Sequence, residues 1–450
     1  MLDIKFIRQN PEIVKKGCQK KQVKVDIDLL LEVDKKRRET LTALEDILAQ
    51  KNKASKQIPA TKEQEKRKKI ILKMQELDKN SDRLNKNLKE IEKEFNDLML
   101  QIPNLPQGNV PVGKDETENV VLRKVNKIPK FAEHSLVEPK ARREKKLVSA
   151  TISRPRSTRA FNFKPKDYLE IAEKLDLIDI KRAAKISGTR FSFLKKEAVL
   201  IEFALINLAL ENLIKEKFIP VIPPVMLKTV MARGTGYFEA ADKKEAYFIP
   251  EDNLYLVGTS EQSLIAMHSG EILDQIDLPR RYVGFSTCFR RESGSYGKDT
   301  KGILRVHQFD KVEMISLCNP EDSKKEHQFF LQMEEKLMKS LKIPYQVIQI
   351  CTGDLGVPAA AKYDIEAWIP SENRYRETHS TSNCTDFQAR RLNIRYRDKF
   401  GKVNFVHTLN GTAFAIGRTL IAIIENYQQK DGSVKVPKVL QKYLPFKIIN

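Results

Sequence analysis

Between Met74 and Leu98 the seam residues recur at alternating steps of three and four. The seam runs through Met74, Leu77, Ser81, Leu84, Leu88, Ile91, Phe95 and Leu98, with Ser81 as its one polar member. That spacing is the heptad stripe of a helix packed along another helix. Leu30, Val33, Leu41, Leu44 and Leu48 carry a looser version of the same pattern. Between the two stripes lies "SKQIPATKEQ", where Pro59 lacks an N–H and is expected to break the helix. Two long helices joined by a tight turn fold back on each other, so the pattern predicts an antiparallel hairpin with arms of ~35 residues, or ~50 Å.

The periodicity changes after "QIPNLPQGNVPVG" (101–113), a Pro/Gly segment that ends the arm. Residues 114 to about 165 read as a basic, irregular and mobile connection, with "KARREKK" and "SRPRSTRAFNFKPKD". "EAVLIEFALINLALENLIKEKF" (197–218) predicts an amphipathic helix leading into the extended "IPVIPPVM". "ILRVHQFDKVEMI" alternates as a strand, and "VNFVHTLNGTAFAIGRTLIAIIENYQ" (403–428) reads as strand, turn, then a helix opening near Gly417. The regular strand–helix rhythm of a parallel doubly wound sheet is missing, as are Rossmann and Walker A glycine patterns. The expectation is therefore an α+β protein: a helical hairpin domain over 1–107, a basic linker or insertion over 108–165, and a mixed, mostly antiparallel sheet flanked by helices over 166–450.

Composition narrows the partners. Lys and Arg number 81 against 60 Asp and Glu, a formal net charge of +21, which favours a polyanion. On the hairpin, "KKRR" (35–38) and "KRKK" (66–69) read either as the solvated face of a dimerising coiled coil or as a basic arm lying along a nucleic-acid backbone. The five cysteines form no CxxC pair and are odd in number, which fits reduced thiols and no zinc site. No apolar run reaches the length of a membrane span and the start lacks a signal peptide's apolar core, so a cytoplasmic protein without membrane contact is expected.

The chemistry concentrates in "FRRESGSYGKDTKGILRVHQFDKVE" (289–313). A strand, a Gly/Ser-rich loop and a returning strand would gather Arg290, Glu292, Arg305 and Phe309 on one surface. Arginine grips phosphate bidentately, a carboxylate accepts from an adenine amine, and an aromatic ring stacks on a base. Arg418 near a helix start and Glu377 beside hydroxyls add a further phosphate contact and a candidate Mg²⁺ ligand. Together these make an ATP site with no Gly-rich phosphate loop. No serine or cysteine nucleophile with its own base is evident, and activating a carboxylic acid needs none, because the acid is itself the nucleophile.

"GTSEQ", "FRRESGSYGKDTKGILRVHQFDKVE", "STSNCTDFQARRLNIRYR" and "LNGTAFAIGRTLIAIIENYQ", in this order behind a helical hairpin, resemble the bacterial-type seryl-tRNA synthetases, a class II aminoacyl-tRNA synthetase family. The resemblance covers nearly the whole chain. It implies ATP, L-serine and tRNA(Ser) as substrates, tRNA(Sec) as a further one, Mg²⁺ as cofactor and a homodimer. "KFIPVIPP" is similar to class II motif 1, with Pro224 at the dimer interface and Lys217 where that motif has glycine. The resemblance puts Arg290, Arg291, Glu292, Arg305, Val306, Phe309, Glu377, Thr378, His379, Ser380 and Arg418 at ATP, with Arg290, Glu292 and Arg418 as the catalytic set and Glu377 and Ser380 on the metal. It puts Thr259, Ser260, Glu261, Arg290, Glu313 and Thr412 at serine. "ETHS" departs from the family at Thr378 and His379, and the link to the catalytic domain is longer than usual and lacks the family's Trp-Gly. Two rival readings are a class II paralogue that loads a carrier protein and an RNA-binding coiled coil with an inactive catalytic domain. The arm argues against the first, and Arg290, Glu292, Glu313, Glu377 and Arg418 argue against the second.

Overall fold

A computed structural model describes residues 1–128, 163–237, 245–293 and 301–450. Most of the basic link, with its expected mobility, and the Gly/Ser-rich loop after Ser293 lie outside the described residues. The chain divides into two compact units, Met1–Leu105 and Pro106–Asn450.

In the first unit, short helices α1 (Ile4–Gln9) and α2 (Pro11–Lys20) precede two long ones, α3 (Ile27–Ala60) and α4 (Gln64–Gln101). Asp3 and Asp26 cap α1 and α3 by accepting from Lys5 N and Leu29 N. Arg37 pairs with Glu92 at 3.5 Å and lies over the Phe95 ring, and Lys51 pairs with Asp78 at 2.5 Å. Partners therefore descend along α4 as they ascend along α3, which is the expected antiparallel hairpin. Every predicted seam residue of α4 is buried or half-buried. Two details on α3 differ from expectation. Leu48 is 57% exposed and Ile47 takes the seam position instead. Pro59 does not break the helix ahead of itself: α3 runs one residue beyond it, and Thr61 then adopts an extended backbone. A proline in the last turn costs one backbone hydrogen bond and leaves the preceding turns intact. Residues 1 to 25 pack on the hairpin's base through Ile7, Val14, Cys18, Ile27, Leu30, Met99 and Ile102.

The second unit is built on an eight-stranded sheet. Its strands in chain order are β1 (Val120–Val125), β2 (Ile219–Val221), β3 (Arg280–Phe289), β4 (Gln308–Cys318), β5 (Tyr345–Gln349), β6 (Ala361–Ile369), β7 (Arg374–Thr385) and β8 (His407–Ala415). They lie in the order β1-β5-β6-β7-β8-β4-β3-β2. All neighbours are antiparallel except β2 and β3. Strand β1 corrects the expectation of irregular chain from residue 114. Its Val-rich sequence suits an edge strand despite the surrounding lysines, and Arg123 forks onto the buried Glu335 at 3.1 and 2.7 Å. One face of the sheet is covered by α5 (Glu197–Lys215), α6 (Ser323–Leu341) and α7 (Ile416–Tyr427), which enclose Leu205, Phe330, Tyr345 and Phe414. Each such fully buried side chain contributes about 1.5–3 kcal/mol. The other face carries helices Ser260–Ala266 and Phe387–Leu392 over Leu264, Tyr282, Ile315 and Leu392. Beyond that second cluster the same face is polar, and there the cleft lies. Among the described residues no helix is long and apolar enough to cross a membrane.

Candidate active site

Two β-bulges aim the cleft's side chains. Glu377 opposes Glu366 and His379 opposes Ile365, which leaves Thr378 as an extra residue in β7. Strict alternation would send Glu377 and Ser380 to opposite faces; the extra residue brings both to the cleft. In β8, Thr412 opposes Glu313 and Phe414 opposes Val312, so Ala413 is extra, and Thr412 and Ala415 both reach the same cavity.

The cavity has a volume of about 440 Å³. At one end, Arg418 stands near the start of α7, with its guanidinium 3.3 Å from a Glu377 oxygen and bonded to the Glu377 carbonyl at 3.2 Å. The Glu377 side chain is 45% exposed to the solvent filling the cleft. Enclosure alone would push its carboxyl up, but Arg418, Lys362 and Arg290 outweigh that and hold it at about 2. Arg290 follows the end of β3, donates from Nε to the Gly258 carbonyl at 3.1 Å and lies 5.2 Å from the Phe309 ring centre. Glu292, with φ at +50°, faces Arg305 at 3.5 Å. These cations, the Phe309 ring and Glu292 form a surface suited to a triphosphate and a planar base. Glu377 and Ser380 offer the ionised and hydroxyl oxygens that Mg²⁺ takes, and no described group of three or more His, Cys, Asp or Glu residues could hold a metal alone. A cation bound largely by substrate phosphates has this donor set.

The other end holds two buried carboxylates. Glu261, 2% exposed, begins the helix that Thr259 caps, and its oxygens accept from Tyr237 Oη at 2.8 Å, Gln388 Nε2 at 2.8 Å and Asn410 Nδ2 at 3.0 Å. Burial, with Glu313 nearby, pushes its carboxyl up to about 7. Glu313, 1% exposed, takes a 2.5 Å ion pair from Lys311 and lies 3.4 Å from the Thr412 hydroxyl. Two acids and a hydroxyl in one small pocket suit an ammonium group beside a short polar side chain.

Of the residues expected at the site, Thr259, Glu261, Arg290, Glu292, Arg305, Val306, Phe309, Glu313, Glu377, Thr378, Ser380, Thr412 and Arg418 line the cavity. Three side chains lie elsewhere. Ser260 is fully buried against Gly284. Arg291 lies over the Tyr247 ring at 5.4 Å. His379 faces the opposite side of the sheet, edge-on to Phe414, with Nδ1 2.9 Å from Thr378 Oγ1, and burial pushes its imidazole down to about 3. Sequence reading missed Tyr237, Lys311, Lys362, Gln388 and Asn410. Lys311 had a local signal, since alternation places it on the face of Glu313; Tyr237 and Gln388 had none, because only the fold brings them to Glu261.

Residues 1–106 match the family of the seryl-tRNA synthetase N-terminal domain, and residues 246–427 that of the tRNA synthetase class II core domain (G, H, P, S and T). A curated serine–tRNA ligase of Dictyoglomus turgidum is 42% identical over 447 residues, covering 99% of this chain and 98% of the relative. The crystal structure of seryl-tRNA synthetase from Pyrococcus horikoshii complexed with ATP superposes with a TM-score of 0.86 at 40% identity, covering 100% of this chain and 99% of that one. The cytoplasmic serine–tRNA ligase from Naegleria fowleri in complex with AMP gives 0.81 at 33% identity, with coverage of 100% and 99%.

Proposed function

The chain belongs to the seryl-tRNA synthetase family, and we propose that its cleft joins L-serine to tRNA(Ser) in two steps. A serine carboxylate oxygen attacks the α-phosphorus of ATP and pyrophosphate leaves; the 3′-terminal ribose hydroxyl of tRNA then attacks the activated carbonyl carbon and AMP leaves. The observation that carries this reading is the polarity of this cavity, with Arg290, Arg418 and Glu377 at one end and Glu261, Glu313 and Thr412 at the other. Arg290 neutralises the reacting phosphate, Phe309 stacks on the adenine and Glu292 accepts from its amine. Arg418 holds the far phosphates. Such fixed charges stabilise the transition state because they need no rearrangement as charge develops. Mg²⁺, held by Glu377 and Ser380, would withdraw charge from the phosphate oxygens. Glu261 takes the serine ammonium, and Glu313 and Thr412 read the hydroxyl; a pocket built on polar readout rejects an analogue that lacks the group.

The hairpin takes the tRNA through its basic surface and recognises shape. Leu200, Phe203 and Ile214 on α5, with Ile219 on β2 and the 85% exposed Ile222 after it, are exposed apolar residues that support a homodimer in this region. A cytoplasmic location follows from a role in protein synthesis. The test is ATP-dependent incorporation of labelled serine into acid-precipitable tRNA(Ser). Incorporation confirms the reading; adenylate formation with no transfer to tRNA would move the acceptor to another molecule.

A further inference from the structure

Gln388 lies outside the cavity lining, is fully buried, and commits both amide donors and one acceptor position to named groups. Nε2 donates to the Thr235 carbonyl at 3.0 Å and to Glu261 Oε1 at 2.8 Å, while Oε1 accepts from the Thr408 hydroxyl at 2.6 Å. The Thr235 carbonyl can only accept, so the nitrogen must face it, and the amide has one orientation. On the other side, an ionised carboxylate offers about four lone-pair sites. Tyr237, Gln388 and Asn410 occupy three of them on Glu261.

We propose that Gln388, fixed from behind by Thr408, is a positioning residue for amino-acid recognition: it clamps Glu261 so that one acceptor site is left, aimed at the substrate's ammonium group. The inference rests on reading this end of the cleft as the serine pocket. A carboxylate free to rotate would lose orientation and would keep its proton more easily, since each donor favours the ionised form. Among the described residues, Tyr237, Glu313 and Lys311 act on the Glu261 carboxyl, with Cys384 beside Tyr237 and Asn410, and none of them reproduces the amide's fixed direction. The sequence carries no local signal for this contact, because Gln388 sits 127 positions from Glu261 and on a different helix.

The test is ATP–pyrophosphate exchange by the full-length protein with serine varied, alongside thermal melts. Gln388→Met removes the donor. Serine KM rises roughly tenfold to a hundredfold, the loss of a hydrogen bond to a charged group, while ATP KM stays within about twofold. The acid limb of kcat/KM for serine moves to higher pH. Thr408→Val, which frees the amide, shifts both readouts the same way by less, and Thr408→Ser restores wild-type values. If Gln388→Met yields no folded protein, the Thr408 pair decides alone. A wild-type serine KM and an unmoved pH limb in the folded variants overturn the inference. So does a loss of kcat with both KM values unchanged, which marks a purely structural role. Absence of serine-dependent exchange in the wild type would instead strike the underlying reading of the pocket.

Discussion

Gly284 on β3 lies directly opposite Glu313 on β4, and its face of the sheet carries the helix Ser260–Ala266. A Cβ built there would stand 2.6 Å from Leu264 Cδ1, 3.3 Å from Ser260 Oγ and 3.4 Å from Ser260 Cβ. Carbon atoms at rest sit about 3.5–4.0 Å apart, so Gly284→Ala forces an overlap of about 1 Å. Leu264 is 1% exposed and packed among Ile265, Tyr282 and Ile315, so its side chain has little room to swing. The helix must lift instead, at a cost of about 1–3 kcal/mol in stability. Thr259 and Glu261 ride on that helix, and a shift of about 1 Å in a positioning group costs up to about a hundredfold in rate. The expected outcome is a lower denaturant midpoint and a serine KM raised at least about tenfold in ATP–pyrophosphate exchange. The KM for ATP stays within about twofold, because Arg290, Glu377 and Arg418 stand on other elements. A Gly284→Ala protein with wild-type stability and serine KM would refute both the packing argument and the coupling of this helix to the pocket.

Other perturbations separate the parts. Arg290→Ala should collapse serine-dependent exchange, whereas Arg291→Ala, whose side chain lies over Tyr247 outside the cavity, should retain most of it; equal losses would contradict the placement. Because the Glu261 carboxyl titrates at about 7 and must be ionised to take an ammonium, kcat/KM for serine should rise with pH through that value and level off above it. A flat profile across that range would remove Glu261 from ammonium binding. Replacing residues 28–100 with a Gly/Ser linker should leave exchange intact and cut tRNA charging by orders of magnitude. In the intact protein each phosphate contact should add about 0.7–0.9 to the slope of log affinity against log salt, and full charging by the armless protein would reduce the hairpin to a structural coiled coil.

The hairpin was legible because α4 repeats its seam without interruption over many turns. α3 was less so: Lys51 lies at the half-buried seam and pairs with Asp78, which hides the repeat and made Leu48 look like a seam residue where Ile47 is. Glu377, Arg418 and Arg290 could be found from residue type and local context, whereas Glu313 came through the resemblance. That Glu377 and Ser380 share a face could not be found that way, because the bulge at Thr378 depends on pairing with β6. His379 illustrates the same limit, since nothing local distinguishes a ligand-facing histidine from one turned onto Phe414. Strand β1 was masked by a compositional signal: lysines around it suggested a linker, while its partner strand lies more than two hundred residues away.

The most direct measurement is ATP–pyrophosphate exchange by the full-length protein with each of the twenty amino acids in turn. Strong exchange is expected with serine and failure with alanine and glycine, which lack the hydroxyl assigned to Glu313 and Thr412. Cysteine and threonine should be rejected less completely, because small steric differences are worth only ~1–3 kcal/mol. Exchange with alanine as fast as with serine, or no exchange with serine at all, would contradict this expectation.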